Sequence, residues 1–224
     1  MGKLLTVTSG EFQRKTGIHF CTDHNGKMKG LWSLSTSPHN ELCEKHSKLK
    51  HSICEHCYSL AMQKQYKDLD KVLENNTKIL TSHMLTEEEL PKVGNALNMC
   101  RYESFGDCTT PIQVTNYFHI TEANPEIHFA LWTKNPWIIA KAMKEYGMQK
   151  PDNLVIIGSS YLINKPMTEF YRKYDFIDYI FTVYDKEYID EHHVDINCGG
   201  RSCRNCRRCY TKTHDGYEIR EKLK

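Results

Sequence analysis

Short apolar runs alternate with amphipathic segments along the second half of the chain. The apolar runs predict buried strands at 98–103, 126–133, 153–158, 178–183 and 194–197. The segments between them have helical period and capping residues, and they predict helices at 86–97, 111–123, 136–147, 166–173 and 186–192. Strands and helices that alternate in this way form βαβ units. The predicted fold class is therefore α/β, a partial (β/α) barrel of mainly parallel strands.

The first part of the chain has a different pattern. Two short strands are predicted at 4–8 and 30–36, with an Asn-Gly turn signal at 24–27 between them. A helix follows at 59–81, with apolar residues at helical spacing. The prediction is one domain, in which 1–58 is a β extension, 59–197 the partial barrel and 198–224 a cysteine-rich segment.

The cysteine-rich segment holds four cysteines within twelve residues, three of them in a C-x2-C-x2-C run. One tetrahedral metal ion usually takes its four thiolates from two separated C-x2-C pairs. Successive x2 steps instead indicate a 4Fe–4S cluster. Zinc is the next alternative and a disulfide pair the third. The predicted ligands are Cys198, Cys203, Cys206 and Cys209.

A second group of cysteines, Cys43, Cys54 and Cys57, has the spacing C-x10-C-x2-C. Three thiolates leave one iron of a cluster with an open position, and four close a cluster. The sequence therefore predicts iron–sulfur ligands in two groups, and it leaves open one composite cluster of all seven thiolates. Nearby histidines 46, 51 and 56 could ligate zinc, but exposed loop histidines are common.

Composition narrows the class of protein. Ten cysteines without an apolar leader segment favour metal or redox chemistry in the cytoplasm. No apolar run approaches the length of a membrane span. The formal net charge of +2 does not demand nucleic acid as a partner, although the basic stretch 201–212 allows it. A small-molecule substrate or cofactor is equally allowed, and the oligomeric state is open.

Small, polar and charged residues follow the predicted strands, where parallel α/β folds place their working groups. The predicted cofactor-binding residues are Ser104, Gly106, Asp107, Lys134 and Ser159. The candidate catalytic residues are Asp107, Lys134 and Cys108. A capping role for Asp107 and a turn role for Gly106 are the structural alternatives. Cys100 lies inside a strand and is predicted to be core.

The order of these motifs is similar to phage-encoded proteins of the gene-product-eighty-eight family. The resemblance rests on Cys43, Cys54-x2-Cys57-Tyr58, the stretches 101–107 and 131–135, and the closing cysteine run. More distantly, the layout resembles the radical S-adenosylmethionine superfamily. That resemblance implies a three-cysteine 4Fe–4S cluster open to S-adenosylmethionine, a Gly106-Asp107 contact with that cofactor, and an auxiliary cluster on the last four cysteines.

The chain departs from that superfamily in one respect, because its usual loop is C-x3-C-x2-C rather than C-x10-C-x2-C. The predicted function is thus an iron–sulfur protein that acts, as an enzyme, on S-adenosylmethionine or another small molecule. The alternative is a non-catalytic protein, stapled by zinc or closed clusters, that binds nucleic acid or a host protein.

Overall fold

A computed structural model describes residues 16–22, 26–66, 68–94, 96–212 and 217–223. Seven strands form one sheet in the order in which they occur along the chain. They are β1 Cys21–Thr22, β2 Trp32–Leu34, β3 Met99–Tyr102, β4 His128–Thr133, β5 Leu154–Ser159, β6 Tyr179–Tyr184 and β7 Glu218–Lys222. The predicted strand at 4–8 and the first half of the turn at 24–27 lie outside the described residues.

The sheet is parallel except at one edge. β1 pairs antiparallel with β2, and every later pair from β2 to β7 is parallel. The α/β class with mainly parallel strands is therefore confirmed. Within the described part of the chain β1 and β7 do not pair with each other, so the sheet is open rather than a closed barrel.

Eight α-helices accompany the described strands. They are α1 Glu41–Ser47, α2 Tyr58–Gln65, α3 Leu69–Ser82, α4 Pro111–Glu122, α5 Pro136–Tyr146, α6 Thr168–Tyr171, α7 Lys186–His192 and α8 Cys203–Cys206. The predicted caps explain two boundaries. The Thr110 side chain accepts a hydrogen bond from the Gln113 amide at the start of α4, and Gly147 ends α5 in the left-handed conformation.

The predicted helix at 86–97 is wrong. The capping box between Thr86 and Glu89 does form, but it opens only a 3-10 turn, Glu87–Glu89. Leu90 is extended, with φ −72° and ψ 127°. The ring of Pro91 disfavours helical backbone at the preceding residue, so the turn cannot propagate. The predicted helix at 59–81 is likewise two helices, α2 and α3.

The predicted last strand at 194–197 is also wrong. That segment ends in a single bridge from Cys198 to Glu221. The strand that pairs with β6 is β7, which the sequence pattern did not reveal. β7 lies at the sheet edge, and only Ile219 of its five residues is buried, so it lacks an apolar run.

The two faces of the sheet pack against different partners. Cys100 and Tyr102 of β3 belong to a core cluster that includes residues of α3, α4 and α5. Met99 belongs to a second cluster with Tyr210, Cys198 and Cys209 of the C-terminal segment. Alternate residues of a strand face opposite sides of a sheet. We call these sides the helix face and the C-terminal face; Cys100 is core, as predicted.

We expect Gly158→Ala to destabilise the protein, because a Cβ atom there would lie 2.6 Å from Cε1 of Tyr171. The Tyr171 ring is fully buried and its hydroxyl donates to the Ser159 carbonyl at 2.6 Å, so it cannot move aside cheaply. Overpacking of this kind costs roughly 1–3 kcal/mol. Urea denaturation measures the loss.

Tyr171→Leu supplies the matched comparison. The double variant Gly158→Ala/Tyr171→Leu should lose less stability than the sum of the two single variants, because the added methyl then has room. Additive losses would show that the ring contact is not the cause.

Candidate functional site

The first cysteine group lies in the connection that follows β2. Cys43 is on α1, Cys54 is in a 3-10 helix, Ile53–His56, and Cys57 precedes α2. All three side chains are free thiols and partly exposed. The connection begins at the carboxyl end of β2. The group therefore lies at the carboxyl ends of the parallel strands, where the other strand-end residues lie.

Hydrogen bonds attach this connection to neighbouring strand ends. The Ile53 amide donates to the Tyr161 carbonyl, just after β5, at 2.8 Å. His46, on α1, lies 3.4 Å from Oδ1 of Asn135 after β4 and stacks on the Tyr161 ring at 4.6 Å. The Asn40 side chain caps α1 by accepting from the Cys43 amide at 2.9 Å. His46 is therefore buried and structural rather than an exposed loop histidine.

Lys134 is the cation of the first group. Burial lowers the pKa of its ammonium group, but the charges of Cys54, Asp107, Cys43 and Tyr58 more than offset this and raise it. Burial, then Asp107, raises the pKa of the Cys43 thiol to about 12, and Lys134 acts in the opposite direction. Lys134 therefore stays charged, and its charge favours the ionised form of the Cys43 thiol against the effect of burial.

Asp107 is buried and held by the end of β4. Its Oδ1 accepts from the Thr133 hydroxyl at 2.6 Å and from the Cys108 amide at 2.7 Å, and its Oδ2 accepts from the Lys134 amide at 2.8 Å. Burial raises the pKa of this carboxyl, although Lys134 and these hydrogen bonds oppose the shift. Asp107 thus fixes the position of Lys134 relative to β3 and does not cap the following helix.

A second buried carboxyl, Glu103, joins the ends of β2 and β3. It accepts from the Thr36 amide at 3.2 Å and from the Thr36 hydroxyl at 2.9 Å. Gln113 and Tyr117 of α4 donate to the same carboxyl at 2.6 and 2.5 Å. Burial raises the pKa of Glu103 to about 7. Glu103 adopts a left-handed φ of 56°, which this network must stabilise.

Gly106 is required by the same contact. Its φ is +27°, and a Cβ atom there would lie 2.5 Å from the Thr36 carbonyl oxygen. The loop after β3 therefore packs directly on the backbone that follows β2. This close approach explains why glycine is needed here, and a role of Gly106 in cofactor binding stays a prediction.

The other predicted site residues differ in access. Ser104 is buried, and its hydroxyl has no hydrogen-bond partner among the described residues. Ser159 is buried at the end of β5. Cys108 is fully buried within the helix-face core, and burial holds the pKa of its thiol well above the ordinary value. As a candidate catalytic thiol it has no exposed surface, which makes a core role the simpler interpretation.

The second cysteine group lies on the C-terminal face. The Cys198 amide donates to the Arg220 carbonyl at 2.9 Å, and Lys27 lies 3.8 Å from its sulfur. Cys203 and Cys206 begin and end α8, and Cys209 lies in a 3-10 helix, Arg208–Tyr210. Cys206 is exposed, whereas the other three are partly buried.

The four thiols of the second group act on one another. Burial, then Cys198 and Cys203, raises the pKa of the Cys209 thiol to about 12. Lys27 lowers the pKa of Cys198 and of Cys203 against the larger effect of burial. The thiols are therefore close enough to repel as anions, and binding of a cation would relieve that repulsion.

Within each group the thiols affect one another. The cysteine that most affects the Cys43 thiol is Cys54, and the cysteines that most affect Cys209 are Cys198 and Cys203. None of the ten cysteines forms a disulfide. Within the described ranges, no set of three or more Cys, His, Asp and Glu side chains has the geometry to hold one metal ion.

Several residues of the site escaped sequence reasoning. Glu103, Thr36 and Asn135 act through buried hydrogen bonds between elements far apart in the chain. Their only sequence signal is that they are polar and close to predicted strand ends. Arg101 is a clearer case, since a charged residue between Cys100 and Tyr102 interrupts an otherwise buried strand.

Fold and site together define an α/β protein with an open, mainly parallel sheet and two groups of free cysteines. More particularly, the chain belongs to the Gene product 88 family, whose model matches residues 12–218. The predicted family is thereby confirmed, whereas similarity to the radical S-adenosylmethionine superfamily is not shown. Neither a curated protein nor a solved structure matches the chain.

No helix in the described part of the chain is both long and apolar enough to cross a bilayer.

The buried Glu103 carboxyl predicts a pH-dependent stability. Its pKa rises from 4.5 in the unfolded chain to about 7 in the folded protein, so the folded state holds the extra proton between these values. The contribution of Glu103 to stability should therefore fall as the pH rises from about 4.5 to about 7. Glu103→Gln should remove part of this slope, measured as the free energy of unfolding in urea at several pH values.

Glu122→Gln is the matched control, since Glu122 is exposed on α4. It should leave the slope unchanged. A slope that is identical in Glu103→Gln and in the unsubstituted protein would contradict the assignment of this pH dependence to Glu103.

Proposed function

We propose that this protein binds two iron–sulfur clusters, and that the one on Cys43, Cys54 and Cys57 serves an enzymatic reaction on a small molecule. The observation that carries the proposal is the position of this group. It lies at the carboxyl ends of the parallel strands, beside Lys134 and Asp107, where α/β enzymes bind their ligands.

The chemistry of the donor sets supports iron–sulfur ligation. Both groups consist of thiols, the ligands that iron–sulfur clusters use. Each group has a nearby cation, Lys134 for the first and Lys27 for the second, to offset the negative charge of bound thiolates. The second group would close a cluster with four ligands, and the first would hold one with three. Such a cluster, when bound, supplies one-electron chemistry and, with three protein ligands, a free coordination position.

The chain's own residues then have distinct tasks. Asp107 holds the backbone of Lys134 and so fixes the ammonium beside Cys54 and Cys43. The Glu103 contact with Thr36 fixes the chain entering the cysteine connection. Ser104, with its buried unpartnered hydroxyl, is available to a ligand at the same edge.

S-adenosylmethionine is the ligand that we propose for the open position. The arrangement that supports it is the order of parts: the three-cysteine connection follows the first parallel strand, and Gly106-Asp107 follow the second. The long spacing between Cys43 and Cys54 departs from the radical S-adenosylmethionine pattern, and α1 accounts for only the first four of the ten intervening residues. For the fold, we correspondingly propose that the open sheet is a partial barrel.

A second candidate function is a metal-stapled binding protein. The exposure of Arg201, Arg204 and Arg207 around the second group favours it, because such a basic surface suits nucleic acid. However, Arg207 donates to the Leu97 carbonyl at 3.1 Å, so part of this basic cluster fastens the C-terminal segment to the sheet.

Single serine substitutions should show how much of the iron each cysteine group binds. Cys54→Ser and Cys206→Ser should each lose about one cluster's share of iron and sulfide when purified without oxygen, since each removes one ligand. Cys206 is exposed, so its substitution by serine removes no buried packing contact of its own. Metal analysis and the visible absorption spectrum measure the result.

Cys21→Ser is the control, because Cys21 lies on β1 outside both groups and is also partly exposed. It should retain all of the iron. Zinc without iron in anaerobic wild-type protein would contradict the proposal and favour the stapled alternative.

The enzymatic part has its own test. Reduced wild-type protein given S-adenosylmethionine should form 5′-deoxyadenosine. Lys134→Met should lose most of this activity while it keeps its iron, because the cation beside the first group is removed. Lys141→Met, an exposed lysine on α5, should retain it. A full iron content with no product under several reductants would contradict the cofactor assignment.

A further inference from the structure

Arg101 is a charged residue in the middle of a buried sheet. It is the third residue of β3 and pairs in register with Ser33 of β2 and Ala130 of β4. By strand alternation it shares the C-terminal face with Met99, while Cys100 and Tyr102 share the helix face. A guanidinium at such a position is costly unless it has a charge partner.

The guanidinium is held by an aromatic ring. Its central carbon lies 4.3 Å from the ring centre of Trp132, and the Trp132 ring packs in turn against Phe181 at 4.7 Å. Cation–π contacts of this kind fix the plane of an arginine. Arg101 therefore has a defined position on the C-terminal face.

Arg101 lacks the usual carboxylate partner. In the described part of the chain, no Asp or Glu oxygen lies within ion-pair distance of its guanidinium. Its Nε atom and the indole N–H of Trp132 are both buried. Neither has a hydrogen-bond partner among the described residues. Within the described ranges, the Nη1 atom of Arg101 makes one polar contact, with the sulfur of Met28 at 3.4 Å. A bound anionic group would therefore meet a guanidinium that no described carboxylate neutralises.

Elements of the second cysteine group pack beside the residues that contact Arg101. Met28 belongs to a 3-10 helix, Gly26–Met28, that packs against α8 with its two cysteines. The 3-10 helix that contains Cys209 packs against β4 and β5, and Cys209 shares a core cluster with Trp132.

We propose that Arg101 is the partly buried countercharge of the second cysteine group, positioned by Trp132, and that it raises the reduction potential of the cluster bound there. The inference rests on the proposed function. A fixed positive charge in a region of low dielectric stabilises the more negative, reduced form of a cluster. Salt screens partly buried charges less than exposed ones, so the effect persists at physiological ionic strength.

The test isolates the second cluster in the full-length Cys54→Ser variant. In that background Arg101→Gln should shift the midpoint potential of the remaining cluster to a more negative value, measured by an EPR-monitored redox titration. Arg101→Lys should shift it less, since it keeps the charge but not the planar stack. Trp132→Leu should shift it in the same direction, because the guanidinium is then no longer held in place.

Arg172→Gln is the matched control. Arg172 also lies over an aromatic ring, Tyr217, at 5.6 Å, but Tyr217 packs against the helix-face core rather than the cysteine segment. It removes the same charge and should leave the potential unchanged. An equal shift in Arg172→Gln, or none in Arg101→Gln, would overturn the inference while the proposed function stands.

Two further measurements test the inference: the same substitution in the Cys206→Ser variant, and the identity of the bound metal. In Cys206→Ser, where only the first cluster remains, Arg101→Gln should have the smaller effect, and a larger one would overturn the assignment. If the protein holds zinc, which has no redox chemistry, both the proposed function and this inference fail. Protein that retains no metal would overturn both.

Discussion

The hydrogen bonds between the buried Glu103 carboxyl and Thr36 are the constraint on which the site depends. Thr36 follows β2 and leads into the connection that carries the first cysteine group, and Glu103 follows β3. The same carboxyl binds Gln113 of α4, so one group ties two strand ends to a helix. Because Gly106 packs on Thr36 without room for a side chain, the loop toward Asp107 is fixed as well.

The sequence predicted best the parts that depend on local pattern. β4, β5 and α5 follow from apolar runs, a proline at the first helical position and a terminal glycine, and their predicted ends differ little from the observed ones. The failures lie where local signals compete. At 86–97 the capping box predicted a helix, and Pro91 allowed only a turn. β7 was missed because an edge strand needs no apolar run to pair.

For the candidate site, the positions of the residues at strand ends could be predicted from the sequence. Their hydrogen-bond partners and their burial could not. The sequence placed Asp107 and Lys134 at strand ends, and the structure brings both beside the first cysteine group. It could not tell that the Asp107 carboxylate is used by the Thr133 hydroxyl and the Lys134 amide. Nor could it separate Cys108, which is sealed in the core, from the partly exposed Cys54. Such distinctions depend on contacts between distant elements.

The two cysteine groups have different relations to the fold. The first lies in a connection beyond the strand ends, beside one ammonium and one buried carboxylate. The second is interleaved with the core, since Cys198 and Cys209 pack in the same cluster as Tyr210 and Ala130. Four mutually repelling thiols in a partly buried segment would destabilise it if ionised without a cation. A cation bound at the second group would therefore stabilise the C-terminal face.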